Sequence, residues 1–214
     1  MPSSDPPRHS GLMGVLGWIG RAFSRVYWRE EPLVDRIRPY LPAGGSVIDI
    51  GAGGCRIAEL LGTDGRFSVT AVDVVDHNVT EVPMQLYDGE RLPFPDKSFD
   101  AALLVFVLHH AEHPEVLVRE ALRVTRSTVV VIEDAPETRA ERWCWRAWDY
   151  VLNHAAHDDI QVAHHARNVG EWVAFLRSCG AAPSSAGRFR AFYPVLRSYP
   201  HVVLPVSIDA TTSE

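Results

Sequence analysis

The sequence of 214 residues has little cysteine and no long apolar run, and both absences narrow the class of protein. Its three cysteines form no Cys-x-x-Cys pair and are odd in number, which favours a chain kept reduced in the cytoplasm over a disulfide-bonded secreted one. No apolar stretch is long enough to span a bilayer, and no small-residue cleavage site follows the apolar residues near the amino terminus. We therefore predict neither a membrane-spanning helix nor a signal peptide.

Positive charge is also scarce. The chain has 21 Lys and Arg against 27 Asp and Glu, which gives a net charge of −6 at pH 7, and it contains no basic tract long enough to follow a nucleic-acid backbone. We therefore predict a small-molecule substrate and no nucleic acid. A hydrophobic content of 46% is ordinary for a globular chain, and the length suits one domain.

The stretch from residue 46 to residue 56 contains the sequence pattern that is most typical of a binding site. Residues 47–50 form a short, mostly β-branched apolar run, as a buried parallel strand does. The glycine-rich turn of residues 51–54 follows, and glycine allows positive φ and a close approach of backbone N–H groups to a ligand. A helical pattern then begins at Cys55. This order of strand, glycine turn and helix is typical of a nucleotide-binding corner in an α/β sheet.

Two common nucleotide motifs are missing from this corner. When the dinucleotide fingerprint is counted from Gly51, Arg56 occupies the position that requires a third small residue. No Gly-Lys-Ser/Thr follows, so the turn is not a phosphate-binding P-loop. The chain also lacks a Tyr-x-x-x-Lys pair. A nicotinamide-dependent oxidoreductase is therefore a disfavoured alternative.

Three aspartates stand at the ends of candidate strands. Asp49 interrupts the first apolar run near its end, and since an unpaired buried carboxylate is costly, we expect it to face a loop or a ligand. Asp73 ends a second run and lies 20 residues after Gly53, where an acid can bind both ribose hydroxyls of a nucleoside. Asp88 follows a third candidate strand and can accept a hydrogen bond from the exocyclic amine of a purine.

The segment from residue 46 to about residue 134 resembles the class I S-adenosylmethionine-dependent methyltransferases, in particular the small-molecule branch similar to the ubiquinone/menaquinone-biosynthesis enzymes. The resemblance is carried by the order and spacing of VIDIGAGG, AVD, YDGERLPFPDKSFDAALLVFVLHH and PEVLVREALRV. The chain departs from the family in two places. Cys55 replaces the usual third loop glycine and narrows the loop, and residues 124–127 replace the usual Leu-Lys-Pro-Gly-Gly turn before the fifth strand.

The resemblance implies an α/β fold with a doubly wound, mostly parallel seven-stranded sheet that ends in an antiparallel hairpin. It also implies S-adenosyl-L-methionine as the cofactor. The residues that it would place around this cofactor are Asp49, Gly51, Ala52 and Gly53 at the methionine end, and Asp73, Val74, Asp88, Gly89 and Val105 around the adenosine.

Methyl transfer requires mainly that the acceptor approach the methyl group in line, and a hydroxyl acceptor also benefits from a base. The base is expected at the carboxyl ends of the central strands, where ligands bind in such sheets. His109 and His110 follow the fourth candidate strand and Glu133 ends the fifth, so these three are the catalytic candidates. Each histidine can instead make a structural hydrogen bond, and Glu133 can instead cap the next helix or line the substrate pocket.

The chain divides into five predicted regions. These are a disordered tail over 1–10, amino-terminal helices over 11–41, a methyltransferase domain over 42–208, a helical substrate cover within it over 136–167, and a loose tail over 209–214. The helix over 11–29 has one apolar face but four glycines, each of which costs about 1 kcal/mol relative to alanine. Three interpretations stay open for it: packing on the domain, a lid that orders over the cofactor, or a helix at a membrane surface.

The substrate cover is rich in tryptophan and histidine, and both patterns have ordinary explanations. Trp143, Trp145 and Trp148 are expected to pack against the domain. The histidines at 154, 157, 164 and 165 match no metal motif, so we predict no metal site. Cys55 is expected to be a small apolar filler, although its place at a helix amino terminus could lower its pKa.

The end of the domain is predicted to be a helix followed by a strand pair. Asn168 can cap the helix and Gly180 can end it. Strands are expected near 188–195 and 201–208, joined by a turn at 198–200, and Pro194 and Pro205 favour edge strands or strand ends.

These observations predict a cytoplasmic S-adenosylmethionine-dependent methyltransferase that acts on a small, partly apolar molecule, with oxygen favoured as the acceptor atom. A non-catalytic scaffold that binds the cofactor and partners another enzyme is the main alternative.

Overall fold

The computed structural model describes residues 30–156, 165–191 and 199–208. The strands are β1 (Gly45–Ile50), β2 (Phe67–Asp73), β3 (Met84–Leu86), β4 (Phe99–Val105), β5 (Thr125–Asp134), β6 (Gly187–Ala191) and β7 (Tyr199–Ser207). The helices are α1 (Glu30–Ile37), α2 (Arg56–Gly62), α3 (Pro114–Val124), α4 (Arg139–Ala156) and α5 (Val169–Ser178), and a 3-10 turn (Arg38–Tyr40) follows α1. The predicted tails, the 11–29 helix, Pro194, His157 and His164 lie outside the described residues.

The seven strands form one sheet in the order β3-β2-β1-β4-β5-β7-β6. The pairs β1–β2, β1–β4, β2–β3 and β4–β5 are parallel, whereas β7 is antiparallel to both β5 and β6. The predicted fold class is therefore confirmed. The chain order reverses between β1 and β4, and ligands bind at the carboxyl ends of the strands at such a switch point.

Apolar layers cover both faces of the sheet, since residues that alternate along each strand point to opposite sides. On one face Ile48, Leu104 and Val131 pack with residues of α3 and α5, including the fully buried Trp172. On the other face Val47, Leu103 and Ile132 pack with α1 and with Leu61 of α2. The carboxyl edge of the sheet lies outside both layers, and it is the edge at which ligands bind in such folds.

Two predicted boundaries around the central strands are wrong. The apolar run of residues 101–108 predicts a fourth strand over that range. β4 instead ends at Val105, because Phe106 adopts a φ of 53° that turns the chain out of the sheet. β5 begins at Thr125, directly after α3, so the turn predicted over 124–127 does not form. The Thr125 hydroxyl donates to the Ala121 carbonyl oxygen at 2.6 Å, so this side chain satisfies the last turn of the helix while its backbone enters the strand.

The terminal strand pair is antiparallel, as predicted, but the expected turn and the expected position of its prolines are wrong. Tyr199 and Pro200 lie inside β7 rather than in a turn. β7 lies between β5 and β6, so Pro205 occupies an interior strand. The sheet tolerates this proline because β6 pairs with β7 only as far as Val203. Beyond that point, the Pro205 carbonyl oxygen accepts from the Ser184 amide at 2.9 Å.

The start of α5 carries the predicted cap in a stronger form than expected. The Asn168 side chain accepts from the Glu171 amide at 2.9 Å, and the Glu171 carboxylate accepts from the Asn168 amide at 2.7 Å. This reciprocal pair is a capping box. Gly180, with a φ of 86°, follows the end of the helix as predicted.

We expect Asn168→Ala to lower the free energy of unfolding by about 1 kcal/mol, because the Glu171 amide at the start of α5 loses its acceptor. Urea denaturation followed by circular dichroism measures this change. Asn168→Asp keeps an acceptor at the same place and serves as the control, with stability close to that of the unchanged protein. Equal stability of the alanine and aspartate variants would contradict the role assigned to the cap.

Within the described residues, no helix is long and apolar enough to cross a membrane. The same part of the chain contains no group of three or more His, Cys, Asp or Glu side chains arranged to hold a metal ion. His154 lies in α4, but the structure does not describe its side chain.

Candidate active site

The turn between β1 and α2 is fixed against the sheet on one side and open on the other. The amides of Gly51 and Ala52 both donate to the Val72 carbonyl oxygen, at 2.9 and 3.1 Å. A Cβ atom at Gly51 would lie 2.3 Å from Cγ2 of Val107, so only glycine fits there. A Cβ atom at Gly53 would meet no described atom within 4 Å. The backbone at Gly53 therefore borders open space at the switch point.

Asp73 ties this turn to the end of β2. Its Oδ2 accepts from the Gly53 amide at 2.8 Å, and its Oδ1 accepts from the Val74 amide at 2.7 Å. Three residues predicted to bind one ligand are thereby brought together. Oδ1 also accepts from the Val75 amide at the longer distance of 3.4 Å. A carboxylate has about four acceptor positions, so Asp73 retains capacity for a ribose hydroxyl after these three bonds.

The Asp88–Gly89 turn lies beside Val74, as a shared adenosine pocket requires. Gly89 has a φ of 83°, and a Cβ atom there would lie 3.2 Å from Cγ1 of Val74, which is 53% exposed. Oδ1 of Asp88 accepts from the amides of Arg91 and Glu90, and these bonds lower the pKa of Asp88. Asp88 is therefore a fixed, charged acceptor next to the turn.

Asp49 is buried under the glycine turn. It points to the same face of the sheet as Val47 and is 2% exposed. Burial, with the neighbouring charge of Asp73 as the second cause, raises its pKa to about 7. Its Oδ2 has no hydrogen-bond partner among the described residues, so the hydrogen bond expected from the sequence is not complete. An orphaned buried carboxyl oxygen calls for a donor that the described residues do not supply.

Cys55 is the filler that the sequence predicts, in an unusual backbone conformation. It has a φ of 59°, is fully buried, and packs with Ala58 and Ala71. The lowered pKa that the sequence suggested is wrong. Burial, followed by the charges of Asp49 and Asp73, raises the pKa of the Cys55 thiol to about 11. The side chain points into the protein and does not block the crevice.

The three catalytic candidates meet at the ends of β4 and β5. Glu133 is fully buried, and it accepts from the Leu108 amide at 2.7 Å and contacts Nδ1 of His109 at 2.5 Å. The ring of His110 lies 4.1 Å from that of His109. Because Glu133 holds one ring nitrogen, it fixes the orientation of the imidazole, as a carboxylate partner does for a catalytic histidine. The structure thus joins His109 to Glu133 and leaves His110 beside them.

A second carboxylate–imidazole pair at this edge was missed by the sequence reasoning. Oδ1 of Asp134 lies 2.7 Å from Nδ1 of His201, and Oδ2 accepts from the indole N–H of Trp145 at 2.7 Å. Burial alone would raise the pKa of Asp134, but the bonds from His201 and Trp145 outweigh it and lower the pKa. Only the antiparallel register, which places His201 opposite Asp134, would have revealed the pair.

The tryptophans of α4 were predicted to pack against the domain, and this prediction is confirmed for one of them and wrong for another. Trp145 is buried, with its ring 5.5 Å from that of His109, so packing is confirmed for it. Trp143 is 72% exposed, so packing is wrong for it because it lies on the solvent side of the helix. The side chain of Trp148 is outside the described part of the chain. Trp145 therefore forms a wall between the two carboxylate–imidazole pairs.

Comparison with known proteins agrees with this geometry. The family model described as "Methyltransferase domain" matches residues 48–132. The 27-O-demethylrifamycin SV methyltransferase of Amycolatopsis mediterranei is 29% identical over 50% of this chain and 48% of its own length. The tRNA (carboxymethyluridine(34)-5-O)-methyltransferase of Schizosaccharomyces pombe is 27% identical over 54% and 51%. The ubiquinone/menaquinone biosynthesis C-methyltransferase UbiE of Nitrosospira multiformis is 31% identical over 42% and 43%.

The chain thus spans about half the length of the curated relatives that it matches. Its fold is shared over a longer range. A SAM-dependent methyltransferase from Methanosarcina mazei, 18% identical, superposes with a TM-score of 0.64 over 80% of this chain and 96% of its own. The family match and the methyltransferase relatives, together with the common fold, make residues 48–132 similar to the class I S-adenosylmethionine-dependent methyltransferases.

Proposed function

We propose that the protein transfers a methyl group from S-adenosyl-L-methionine to a small, partly apolar molecule. The observation that carries this proposal is the open space at the switch point, where the open side of Gly53, the carboxylate of Asp73 and the Val74–Gly89 contact adjoin. The residues fit this cofactor. Asp73 would bind the ribose and Asp88 the adenine amine, and the orphaned oxygen of Asp49 would accept from the ammonium of the methionine end. When bound, the cofactor would supply an electrophilic methyl group.

The protein's own contribution is to hold the acceptor and to receive its proton. His109 lies at the end of β4 with its imidazole oriented by Glu133, as a base for a hydroxyl acceptor requires. Such a base contributes about 10²–10⁴-fold to the rate. We therefore favour oxygen as the acceptor atom. The partly exposed ring of Phe106 gives this edge the apolar surface that a partly apolar substrate needs.

A non-catalytic scaffold is the alternative that Cys55 suggested. The burial of Cys55 between α2 and β2 removes much of its support, since the side chain leaves the crevice free. We also propose a small molecule rather than RNA as the acceptor, although one relative is named as a tRNA methyltransferase, because the net charge of −6 disfavours a phosphate backbone. Three free thiols support a cytoplasmic location.

We expect Asp73→Ala to weaken binding of S-adenosylhomocysteine by at least about tenfold, because hydrogen bonds to a carboxylate contribute roughly 1.5–3 kcal/mol. Isothermal titration calorimetry measures the affinity. Glu81→Ala, which removes an exposed acid ahead of β3, is the matched control and should bind like the unchanged protein. An unchanged protein that binds neither S-adenosylmethionine nor its demethylated product would overturn the proposed function.

A turnover assay distinguishes a methyl-transferring enzyme from a non-catalytic scaffold that only binds the cofactor. Purified protein incubated with methyl-labelled cofactor and a metabolite extract should place label in a small product, whereas tight binding without transfer would favour the scaffold. Total RNA offered in place of the metabolites is the control for a nucleic-acid acceptor, and label in RNA would contradict the small-molecule assignment.

A further inference from the structure

A cavity of about 290 Å³ between α4 and α5 is rich in arginine. The described residues that line it are Arg142, Arg146, His165, Ala166, Arg167 and Glu171. Three guanidinium groups therefore face one carboxylate among these residues, in a chain whose net charge is −6. A local excess of positive charge in an acidic protein attracts an anion.

The one carboxylate among these lining residues, that of Glu171, already accepts hydrogen bonds within the protein. Oε2 of Glu171 accepts from the Asn168 amide at 2.7 Å and from Nη2 of Arg142 at 3.0 Å, and the amide is the larger cause of its lowered pKa. Arg142 also donates from Nη1 to the Ala166 carbonyl oxygen at 3.0 Å. Glu171 and Arg142 thus form a closed pair, and the positive charges of Arg146 and Arg167 are not balanced by it.

The Arg167 guanidinium packs against two aromatic rings, and one of its N–H donors lacks a partner among the described residues. Its guanidinium carbon lies 4.8 Å from the ring centre of Trp172 and 4.3 Å from that of Phe175. Nη1 is buried and has no hydrogen-bond partner among the described residues. Burial lowers the pKa of Arg167, although the nearby charge of Glu133 acts in the opposite direction. A buried cationic donor without an acceptor costs stability unless a ligand completes it.

The cavity adjoins the candidate active site. Ala166, on its wall, packs in one cluster with Trp145. Trp145 donates to Asp134 and lies against the ring of His109. A molecule that places one end beside His109 can therefore extend past Trp145 towards the arginines.

We propose that this cavity binds an anionic group of the methyl acceptor, a carboxylate or a phosphate. The planar donor fork of arginine matches both groups. The inference rests on the proposed methyl transfer and narrows its substrate class to anionic molecules. The acceptor then has its reacting atom near His109 and its charge at Arg146 and Arg167.

The first test uses inorganic phosphate as the probe. Phosphate is titrated into the full chain at constant ionic strength with S-adenosylhomocysteine present, and the arginine Nε–Hε signals are followed by NMR. We expect a saturable response that Arg146→Gln and Arg167→Gln each weaken by about tenfold or more. Arg146 is exposed, so its variant keeps the fold, and Arg177→Gln at the far end of α5 is the matched control. No saturable response, or equal affinity in all three variants, would overturn the site.

The second test asks whether the anion belongs to the acceptor. A metabolite extract is divided by anion exchange into an anionic pool and a remaining pool, and each is offered with methyl-labelled cofactor. Label should enter the anionic pool, and Arg146→Gln should raise KM there with less effect on kcat. Label only in the remaining pool would refute the inference while supporting methyl transfer. Failure of the unchanged protein to bind S-adenosylhomocysteine is the separate result that overturns methyl transfer itself.

Discussion

Gly51→Ala should destabilise the protein by about 2–5 kcal/mol, the larger part from crowding of a packed site and the rest from a left-handed backbone. The new Cβ atom would lie 2.3 Å from Cγ2 and 2.8 Å from Cβ of Val107, and the φ of 73° disfavours any side chain. The backbone cannot easily move away, because the Gly51 amide is bonded to the Val72 carbonyl oxygen. Thermal and urea denaturation of the cofactor-free protein measure the loss.

Gly53→Ala is the matched comparison, since it lies two residues along the same turn. Its φ of 51° carries a similar backbone cost of about 1–2 kcal/mol, but its Cβ atom would meet nothing described within 4 Å. We therefore expect a smaller loss of stability than in Gly51→Ala. We also expect a loss of cofactor affinity of about tenfold or more, because the added methyl group would enter the space proposed for the ligand.

A third variant isolates the contact itself. In the Gly51→Ala background, Val107→Ala removes the crowded methyl groups but keeps the Cβ atom, so the double variant should recover part of the stability relative to the sum of the two single changes. The expected coupling is on the order of 1–3 kcal/mol. Additive effects of the two substitutions would show that contact with Val107 is not what excludes a side chain at position 51.

The sequence predicted the fold because its signals are local. The β-branched run of β1, the glycine turn and the cap at Asn168 each act within a few residues, and each is found where it was expected. The errors fall where distant partners decide. β4 ends early, just before Phe106, which has a φ of 53° and whose ring packs against that of His201 in β7. Pro205 is tolerated in an interior strand because β6 is short, which no local pattern reveals.

The candidate site shows the same division. Gly53 and Asp73 were placed together from a motif and its spacing, and Val74 from the family resemblance, and the structure joins the three by hydrogen bonds. The pair of Asp134 and His201 joins residues 67 positions apart, and its geometry depends on an antiparallel register. The arginine cavity likewise combines two helices whose relative placement is a tertiary property. Side-chain groups that are brought together by tertiary packing were therefore not predicted from the sequence, whereas the groups at the glycine turn were.

Binding of S-adenosylhomocysteine should strengthen with pH up to about pH 7 and then level off. The pKa of Asp49 is about 7 in the cofactor-free protein, so below that pH the group is largely neutral. A cationic ammonium beside its orphaned Oδ2 favours the ionised form, and a proton must then leave on binding. The affinity should rise by up to about tenfold per pH unit below that value. Calorimetry in buffers of different ionisation enthalpy counts the released proton.

The same group makes the cofactor-free protein less stable as the pH rises. Between its unfolded value of about 3.9 and its folded value of about 7, Asp49 binds a proton in the native state that the unfolded chain has released. The native state binds more protons in this window, so the free energy of unfolding falls with rising pH, by on the order of 4 kcal/mol across it. Cofactor binding should oppose this loss.

Asp49→Asn should reduce the pH dependence of both S-adenosylhomocysteine affinity and the free energy of unfolding, because an amide of nearly the same shape does not titrate. The variant should lose the proton released on binding and bind more weakly than the unchanged protein above about pH 7, where the carboxylate would pair with the ammonium. Asp76→Asn, an exposed acid just beyond β2, is the control and should keep both profiles. If Asp49→Asn released the same proton as the unchanged protein, the titrating group would be another residue and Asp49 would have only a structural role.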